Sequence, residues 1–224
     1  MNDSKSWGIS MQSSFDDPRN RVENNTIRRT HGRDGYNGFG GAITVLKTSV
    51  PGAARVANNT LLGGNGTGIL VRDDYNALIR DNFIANFTGD GWVGDQTAQT
   101  YGEGITIQPY IIPVTAVNNT LVDNAIGIML RRGAGHVLTA NVVENRTLAR
   151  PTYGLYANES FWLLSGPATA TATGNRFRNL TYGVLAGTVK VLWNNPILWL
   201  LTAPDLVLTA NTFEDDDVGV EPRL

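Results

Sequence analysis

Two arginines and two amides recur at one position of a repeated sequence unit, and they are the first sign of chemistry in the chain. Aligning the units on their shared apolar residues places Arg72, Gln108, Arg131 and Asn158 in one column. If the units stack as neighbouring strands, these side chains stand about 5 Å apart. Arginine binds carboxylates through paired hydrogen bonds and keeps its charge at any working pH. The column predicts a site for a uronate-like acidic ligand, and a solvated sheet face of mixed charge is the alternative interpretation.

Further charged residues follow this column directly. Asp73 and Asp74 come after Arg72, and Arg132 comes after Arg131. Carboxylates can act as acid–base groups, and their oxygens are the ligands that Ca²⁺ prefers. We therefore expect Arg72 and Arg131 to take part in any catalysis and Arg132 to bind substrate. The chain needs either no cofactor or a Ca²⁺ ion held by Asp73 and Asp74.

A second polar cluster lies near the start of the chain. It contains His31, Arg33, Asp34 and Tyr36 within a glycine-rich stretch. Histidine titrates near neutrality and tyrosine can donate a proton, so these residues could catalyse β-elimination or epimerisation of a uronic acid. The alternative is a surface turn, because glycine, asparagine and aspartate are common turn residues.

A third cluster combines aromatic and acidic side chains. Trp92, Tyr101 and Glu103 lie within a dozen residues of each other, with Asp90 and Asp95 among them. An aromatic ring can stack on the apolar face of a sugar, and carboxylates can bind sugar hydroxyls. Glycosidases also need a pair of carboxylates. We expect Trp92, Tyr101 and Glu103 to bind substrate.

A repeated motif must position these groups. An asparagine followed by an apolar pair, and then by a glycine beside an aliphatic residue, occurs seven times with a base period of about 22 to 23 residues plus inserted loops. The asparagines are Asn25, Asn59, Asn82, Asn119, Asn141, Asn175 and Asn211. The glycines are Gly41, Gly68, Gly104, Gly127, Gly154, Gly183 and Gly219. Such a period indicates a solenoid, whose repeats bury their apolar faces only against each other.

Within each repeat the apolar residues alternate with a period of two, which is the pattern of strands with one buried face. Ile69-Leu70-Val71 and Ile105-Thr106-Ile107 show it after the glycine. Further short strands lie before the asparagine, as in Arg55-Val56-Ala57, and after it, as in Thr120-Leu121-Val122. Three short strands per repeat predict an all-β parallel β-helix of about seven coils. Asparagine tolerates left-handed backbone, so we expect it at the bends, with the side chains stacked as a ladder.

The repeats resemble those of a known superfamily. Asn118-Asn119-Thr120-Leu121-Val122-Asp123-Asn124-Ala125-Ile126-Gly127-Ile128 and Asn58-Asn59-Thr60-Leu61 are similar to right-handed parallel β-helix repeats of the pectate-lyase-like superfamily. It includes polysaccharide lyases, polygalacturonases, uronan epimerases, phage tailspikes and NosD-like proteins. The resemblance covers residues 7–220 and implies a right-handed coil, a substrate groove along the strand after the glycine, and an extracellular or cell-surface location. The Asp-Pro-His-Asp motif of alginate epimerases and the paired-Asp motif of polygalacturonases are missing.

Two functions remain open at this point. The first is a carbohydrate-active domain that binds or cleaves a polysaccharide, an acidic one in particular, in the groove implied by the resemblance. As an enzyme it would be a polysaccharide lyase, a glycoside hydrolase or a uronan epimerase. The second is a non-catalytic structural or scaffold segment of a surface, tailspike-like or NosD-like protein. Long insertions and the arginine column favour the first function. The missing catalytic motifs favour the second.

Composition limits the other partners. Eighteen Lys and Arg against twenty Asp and Glu give a net charge of −2, which implies no attraction to nucleic acid. The chain has two histidines and no cysteine, which excludes disulfides and cysteine-bound zinc. No signal peptide is visible at the start. We expect one domain over residues 1–224, which is a piece of a longer protein if its mid-coil ends are genuine.

The loop at 187–204 is unusually apolar and contains Val191-Leu192-Trp193 and Ile197-Leu198-Trp199. It is too short and too interrupted by Asn194, Asn195 and Pro196 to span a bilayer. Apolar patches of this size rarely face water. The loop therefore predicts either local packing against residues 158–168 or a contact within a homo-oligomer.

Overall fold

The computed structural model describes residues 8–12, 20–30, 41–46, 54–64, 66–72, 77–89, 102–108, 113–131, 133–148, 152–158, 168–187 and 204–223. Within these ranges all regular structure is β, and every strand pairs in parallel with its neighbours. The strands, numbered β1 to β22 in chain order, form three sheets. The all-β parallel fold predicted from the period-two pattern is confirmed.

Sheet 1 has eight strands, and each of them begins near a glycine of the repeat. Its members are β1 (Ile9–Gln12), β4 (Gly41–Leu46), β7 (Thr67–Arg72), β10 (Glu103–Gln108), β13 (Ile126–Leu130), β16 (Tyr153–Asn158), β19 (Tyr182–Gly187) and β22 (Val218–Arg223). These strands neighbour one another in chain order, three strands apart, so successive coils stack directly.

Sheets 2 and 3 have seven strands each and lie on either side of the repeated asparagine in the chain. Sheet 2 consists of β2 (Arg21–Glu23), β5 (Arg55–Ala57), β8 (Leu78–Arg80), β11 (Thr115–Val117), β14 (His136–Thr139), β17 (Thr169–Thr173) and β20 (Asp205–Thr209). Sheet 3 consists of β3 (Thr26–Thr30), β6 (Thr60–Gly64), β9 (Phe83–Phe87), β12 (Thr120–Val122), β15 (Val142–Glu144), β18 (Arg176–Arg178) and β21 (Thr212–Glu214). One strand from each sheet makes a coil, which gives seven coils from β2 to β22.

The core runs the length of the solenoid. The alternating apolar residues of all three sheets meet inside it, and the largest buried side chains include Ile105, Ile107, Leu121 and Phe177. Burial of each such side chain contributes roughly 1.5–3 kcal/mol. Because the coil repeats, the buried residues form one continuous cluster from Val22 to Val184, and the partly buried Ile9 and Phe213 pack against it.

The seven repeated asparagines form the predicted ladder. Each Nδ2 donates to the Oδ1 of the asparagine in the next coil, over 2.9–3.0 Å in all six links. From the second asparagine onward, Nδ2 also donates to a sheet 2 carbonyl of the preceding coil, as Asn119 does to Ile79. Backbone N–H groups of the ladder asparagines donate to the same Oδ1 atoms. Buried amides are thus fully paired, as their burial requires.

The expected location of the left-handed bend is wrong by one residue. The ladder asparagines do not have positive φ. The residue before each one does, and those residues are Asn24, Asn58, Asp81, Asn118, Ala140, Gly174 and Ala210, with φ between 53° and 62°. The left-handed residue is at the surface in most coils, whereas the ladder asparagine turns its amide into the solenoid. Ladder bonding rather than backbone freedom therefore explains the repeated asparagine.

Ala140 occupies this left-handed position without a suitable side chain, at φ 53°. A left-handed backbone costs an L-residue about 1–2 kcal/mol, and glycine avoids most of that cost. We expect Ala140→Gly to raise the free energy of unfolding by about 0.5–1 kcal/mol in urea denaturation, after allowance for the more flexible unfolded chain.

The matched control is Ala134→Gly, an exposed alanine whose φ is not positive. It should lower stability, because only the unfolded chain gains freedom there. Equal effects of the two variants would contradict the assignment of strain to Ala140.

The glycines form a column at the start of sheet 1, with one correction. Pairing of Ile43 with Ile69 aligns Ala42, not Gly41, with Gly68, and Gly41 pairs with Thr67 instead. The column therefore contains Gly8, Ala42, Gly68, Gly104, Gly127, Gly154, Gly183 and Gly219. A Cβ placed on any of Gly68, Gly104, Gly127, Gly154 or Gly183 would meet the carbonyl oxygen of the next glycine in the column. Close backbone approach explains this repeat.

Candidate functional site

The strand register of sheet 1 confirms the predicted columns on its outer side. Arg72 pairs with Leu46 on one side and with Gln108 on the other, and Asn158 pairs with Gly187. Arg131 follows Leu130, and its amide N–H donates to the Ile107 carbonyl, so it continues the same column. We call this column the arginine row. The neighbouring central row comprises Thr44, Leu70, Thr106, Met129, Tyr156 and Leu185.

The outer side of sheet 1 is not an open, solvent-filled face. Thr44, Leu70, Thr106 and Met129 of the central row are buried, and Leu70 and Met129 lie outside the main core cluster. In the arginine row Gln108 is only 6% exposed, although it points away from the core. Gln108 thus lies on the outer side of the sheet and is nevertheless buried. Alternation fixes the side of the sheet on which a residue lies, whereas burial depends on everything packed over it.

A charge pair lies across the outer side of sheet 1. Glu103, at the start of β10, is 1% exposed, and its Oε1 accepts a hydrogen bond from Nη2 of Arg131 at 3.0 Å. Its Oε2 accepts one from the Thr67 hydroxyl at 3.0 Å. The Arg131 side chain is 20% exposed. The positive charge of Arg131 is therefore offset within the protein, and Glu103 contacts the arginine row through Arg131.

Unsatisfied polar atoms gather beside this charge pair. The Gln108 Oε1 and the Thr44 and Thr106 hydroxyls are buried and have no hydrogen-bond partner within the part of the chain described by the structure. Thr106 and Gln108 lie on the same side of β10, and Thr44 lies two coils earlier in the central row. Each buried polar group without a partner costs about 1–3 kcal/mol. Such a concentration of orphaned groups calls for a functional explanation.

Three tyrosines continue the outer side of sheet 1 into the later coils. The Tyr153 and Tyr182 rings stack with centroids 5.3 Å apart and planes 4° apart. Tyr156 stacks on Tyr153 at 5.7 Å. These rings therefore cover one another's faces. Sequence reasoning missed Tyr153, Tyr182 and Thr67 as candidate site residues. Their position in the repeat could have indicated them, because each of these three residues directly precedes a glycine of the column.

Nine other predicted site residues lie outside the described residues. These are His31, Arg33, Asp34, Tyr36, Asp73, Asp74, Trp92, Tyr101 and Arg132. For Asn158 the structure describes the backbone alone. Residues 159–167 and 188–203, which contain most of the two loops predicted to pack together, are also outside. Within the described ranges no three acidic or histidine side chains group to hold a metal ion.

His136 has a structural role. It is fully buried, and its Nδ1 accepts a hydrogen bond from the Val114 N–H at 3.0 Å. A ring nitrogen that accepts a backbone N–H cannot carry a proton, so this bond fixes the neutral tautomer. The bond joins consecutive coils of sheet 2, and the ring is buried in the protein.

A second charged group, on the outer side of sheet 3, is a self-compensated surface. Glu144 accepts a hydrogen bond from Arg146 at 2.9 Å and lies 3.6 Å from Arg178, while Arg176 lies 2.6 Å from Glu214. The Arg146 hydrogen bond, opposed by partial burial and helped by the nearby arginine charges, lowers the pKa of Glu144. These exposed side chains pair along neighbouring strands, as on an ordinary solvated sheet. Sheet 1 therefore remains the better candidate site.

The comparisons with known proteins identify the class. Residues 1–190 match the family described as the right handed beta helix region, and the chain belongs to that family. The expected right-handed coil is thereby confirmed, and membership of the pectate-lyase-like superfamily is compatible with it. No curated protein and no solved structure matches the chain. The described residues include no helix that could cross a membrane.

Proposed function

We propose that the protein binds carbohydrate on the outer side of sheet 1. The site is the polar cluster formed by Thr67, Glu103, Thr106, Gln108 and Arg131. The single observation that carries the proposal is the orphaned Gln108 Oε1, which is buried beside a complete Glu103–Arg131 charge pair. A rigid sheet with a few converging polar groups among apolar neighbours is a common form of ligand site.

Carbohydrate suits this cluster because sugar hydroxyls both donate and accept hydrogen bonds. A hydroxyl can donate to the Gln108 Oε1, and another can exchange hydrogen bonds with the Thr106 hydroxyl. Since the cluster is buried, each hydrogen bond formed there is stronger than it would be in water.

Polysaccharide cleavage is a further step within this proposal. Lyases, hydrolases and epimerases need an acid–base group, and His31, Arg33, Asp34, Tyr36, Arg72 and Arg131 remain the candidates proposed from the sequence. Glu103 adds a carboxylate that is held by Thr67 and Arg131. Ca²⁺ at Asp73 and Asp74 and a homo-oligomer formed through residues 187–204 also stay proposals.

A polysaccharide panel tests binding and cleavage together. Each polymer is assayed for binding by calorimetry and for release of reducing or unsaturated ends, with and without Ca²⁺. Binding without release would indicate a binding module or an epimerase, which inverts a sugar carbon without cutting the chain. Release of unsaturated ends would indicate a lyase, and release of reducing ends alone would indicate a hydrolase. Absence of binding to every polymer would contradict the proposal.

Replacement of Gln108 by methionine should separate stability from binding. Methionine has a similar shape but no hydrogen-bonding amide, so the variant removes an unsatisfied buried oxygen. We expect the free energy of unfolding in the absence of ligand to rise by about 1–2 kcal/mol, and carbohydrate affinity to fall at least tenfold.

The control is Thr171→Val, on the outer side of sheet 2, which should leave carbohydrate affinity unchanged. Chemical denaturation measures the stability of both variants, and calorimetry measures binding. A Gln108→Met protein that is less stable than the parent would show that Gln108 has a structural partner, and would remove the main support for the site.

A non-catalytic scaffold is the second candidate function. The observation that favours it is the burial of the central row, because a buried face is not accessible to a long polymer unless something above it moves. Loss of binding in the panel, together with a stabilising effect of Gln108→Met, would favour the scaffold.

A further inference from the structure

We infer that the ligand presents neutral hydrogen-bond donors, such as sugar hydroxyls or acetamido N–H groups, to the polar cluster, and presents no carboxylate there. The ligand class at this position is therefore a neutral sugar. This inference rests on the proposed function and replaces the acidic ligand that the two arginines predict from sequence. It follows from three properties of the cluster.

The first property is that the orphaned Gln108 atom is an acceptor. An amide oxygen has lone pairs and no proton, so only a donor can satisfy it. A ligand carboxylate at neutral pH also has only acceptors. Placing one beside the buried Oε1 would leave both oxygens unpaired, at the cost of desolvating each. A hydroxyl or an amide N–H satisfies the Gln108 oxygen directly.

The second property is that Arg131, one of the two cations on the strands beside Gln108, is already compensated. Arg131 donates to Glu103 over 3.0 Å, and Glu103 is fully buried. A ligand carboxylate that reached Arg131 would bring a second negative charge next to the buried Glu103 carboxylate. Like charges at close range in a poorly solvated site repel strongly, and one of them must lose its charge. A neutral ligand leaves the existing pair intact.

The third property is the chemistry of the other orphaned groups. Thr44 and Thr106 each have a hydroxyl with one donor and two acceptor positions. Ligand hydroxyls have the same capacity, so donors and acceptors can be matched in either direction. The cluster therefore offers one amide acceptor and the Thr106 hydroxyl, and the Thr44 hydroxyl lies two coils earlier in the same row. This set is suited to a polyhydroxylated neutral surface.

A matched pair of ligands tests the inference. Oligomers of several uronans are each prepared in two forms, the native acid and the same oligomer with its carboxyl groups reduced to primary alcohols. Calorimetry then measures affinity at physiological ionic strength. We expect at least one reduced oligomer to bind ten times more tightly than its acid form. Equal or tighter binding of the acid forms would overturn the inference while leaving the proposed function standing. No binding by either form of any oligomer would contradict the proposed function itself.

The Gln108→Met and Arg72→Ala variants locate the source of the preference. Gln108→Met should reduce the ratio of the two affinities to near one, because the acceptor that selects donors is gone. Arg72→Ala should keep or increase the preference for the reduced oligomer, since it removes a positive charge and leaves the amide. Thermal unfolding checks that both variants fold. A Gln108→Met protein that keeps the full preference would overturn the inference.

Discussion

Replacing Asn119 by alanine is expected to lower the free energy of unfolding by about 4–6 kcal/mol, which is the largest effect of a single substitution proposed for this chain. Asn119 is completely buried in the middle of the amide ladder. Its Oδ1 accepts from both the Nδ2 and the backbone N–H of Asn82, and its Nδ2 donates to Asn141 and to the Ile79 carbonyl. Nδ2 also donates to the Val117 carbonyl at 3.2 Å, and alanine removes all five bonds at once.

The cost comes from the partners that remain. The Asn82 backbone N–H and one of the two hydrogens on its Nδ2 would lose their acceptor, and the Ile79 carbonyl would lose the Asn119 donor, each at about 1–3 kcal/mol. The other Nδ2 hydrogen of Asn82 keeps its bond to the Val56 carbonyl. Asn141 would retain the backbone N–H of residue 119, so its Oδ1 stays partly satisfied. A cavity the size of the lost amide adds to the destabilisation.

The first asparagine of the ladder supplies the matched control. Asn25 is only partly buried, and its Nδ2 donates to the Glu23 carbonyl and to Asn59. Asn59 keeps the backbone N–H of residue 25 after Asn25→Ala, so we expect a loss of about 1 kcal/mol. Urea denaturation of both variants measures the difference. Similar losses at Asn25 and Asn119 would show that the ladder is not the source of stability at the bend.

The second large effect is expected at Gly127. A methyl group there would collide with a Val143 methyl and lie 2.6 Å from the Gly154 carbonyl oxygen. Overpacking of a core costs about 1–3 kcal/mol, and occasionally more when backbone must move. Because one of the colliding atoms is backbone of the next coil, we expect Gly127→Ala to cost about 3–4 kcal/mol.

Gly219 occupies the same column in the last described coil and provides the comparison. A methyl group on it would have its nearest neighbour at 3.6 Å, which is ordinary contact, and its φ is not positive. Gly219→Ala should therefore change the free energy of unfolding by less than about 0.5 kcal/mol. Thermal and urea unfolding distinguish the two variants. A tolerated Gly127→Ala would mean that the coils can separate at low cost.

The fold could be predicted from the sequence because the same residue pattern recurs in every repeat. Spacing aligned Asn119 with Asn141 and placed both in one ladder, as observed. Two positions were assigned one residue away from the observed one, because two neighbouring residues were both of a type that fits the position. Asn118 and Asn119 are both asparagines, and only the contacts show that Asn118 takes the left-handed bend. Gly41 was assigned to the glycine column for the same reason, although the adjacent Ala42 fills it.

The candidate site was less accessible to sequence reasoning. Register followed from alternation, so the arginine row could be predicted. The pairing of Glu103 with Arg131 could not be predicted from the sequence. The two residues are 28 positions apart, and they meet only because the arginine side chain is long. Burial of Gln108 was equally hidden, since it depends on what packs over the outer side of sheet 1 and not on the strand that carries it.

The amide ladder also gives the solenoid an electrical direction. All six links point the same way, with one N–H of each linking amide directed toward the Oδ1 of the following coil. Aligned amide dipoles add and polarise one another, as peptide dipoles do along a helix. The positive end of this array lies in the coil of Asn211, which also contains Glu214, Asp215, Asp216 and Asp217. The acidic run thus lies in the last described coil, where the field of the ladder favours negative charge.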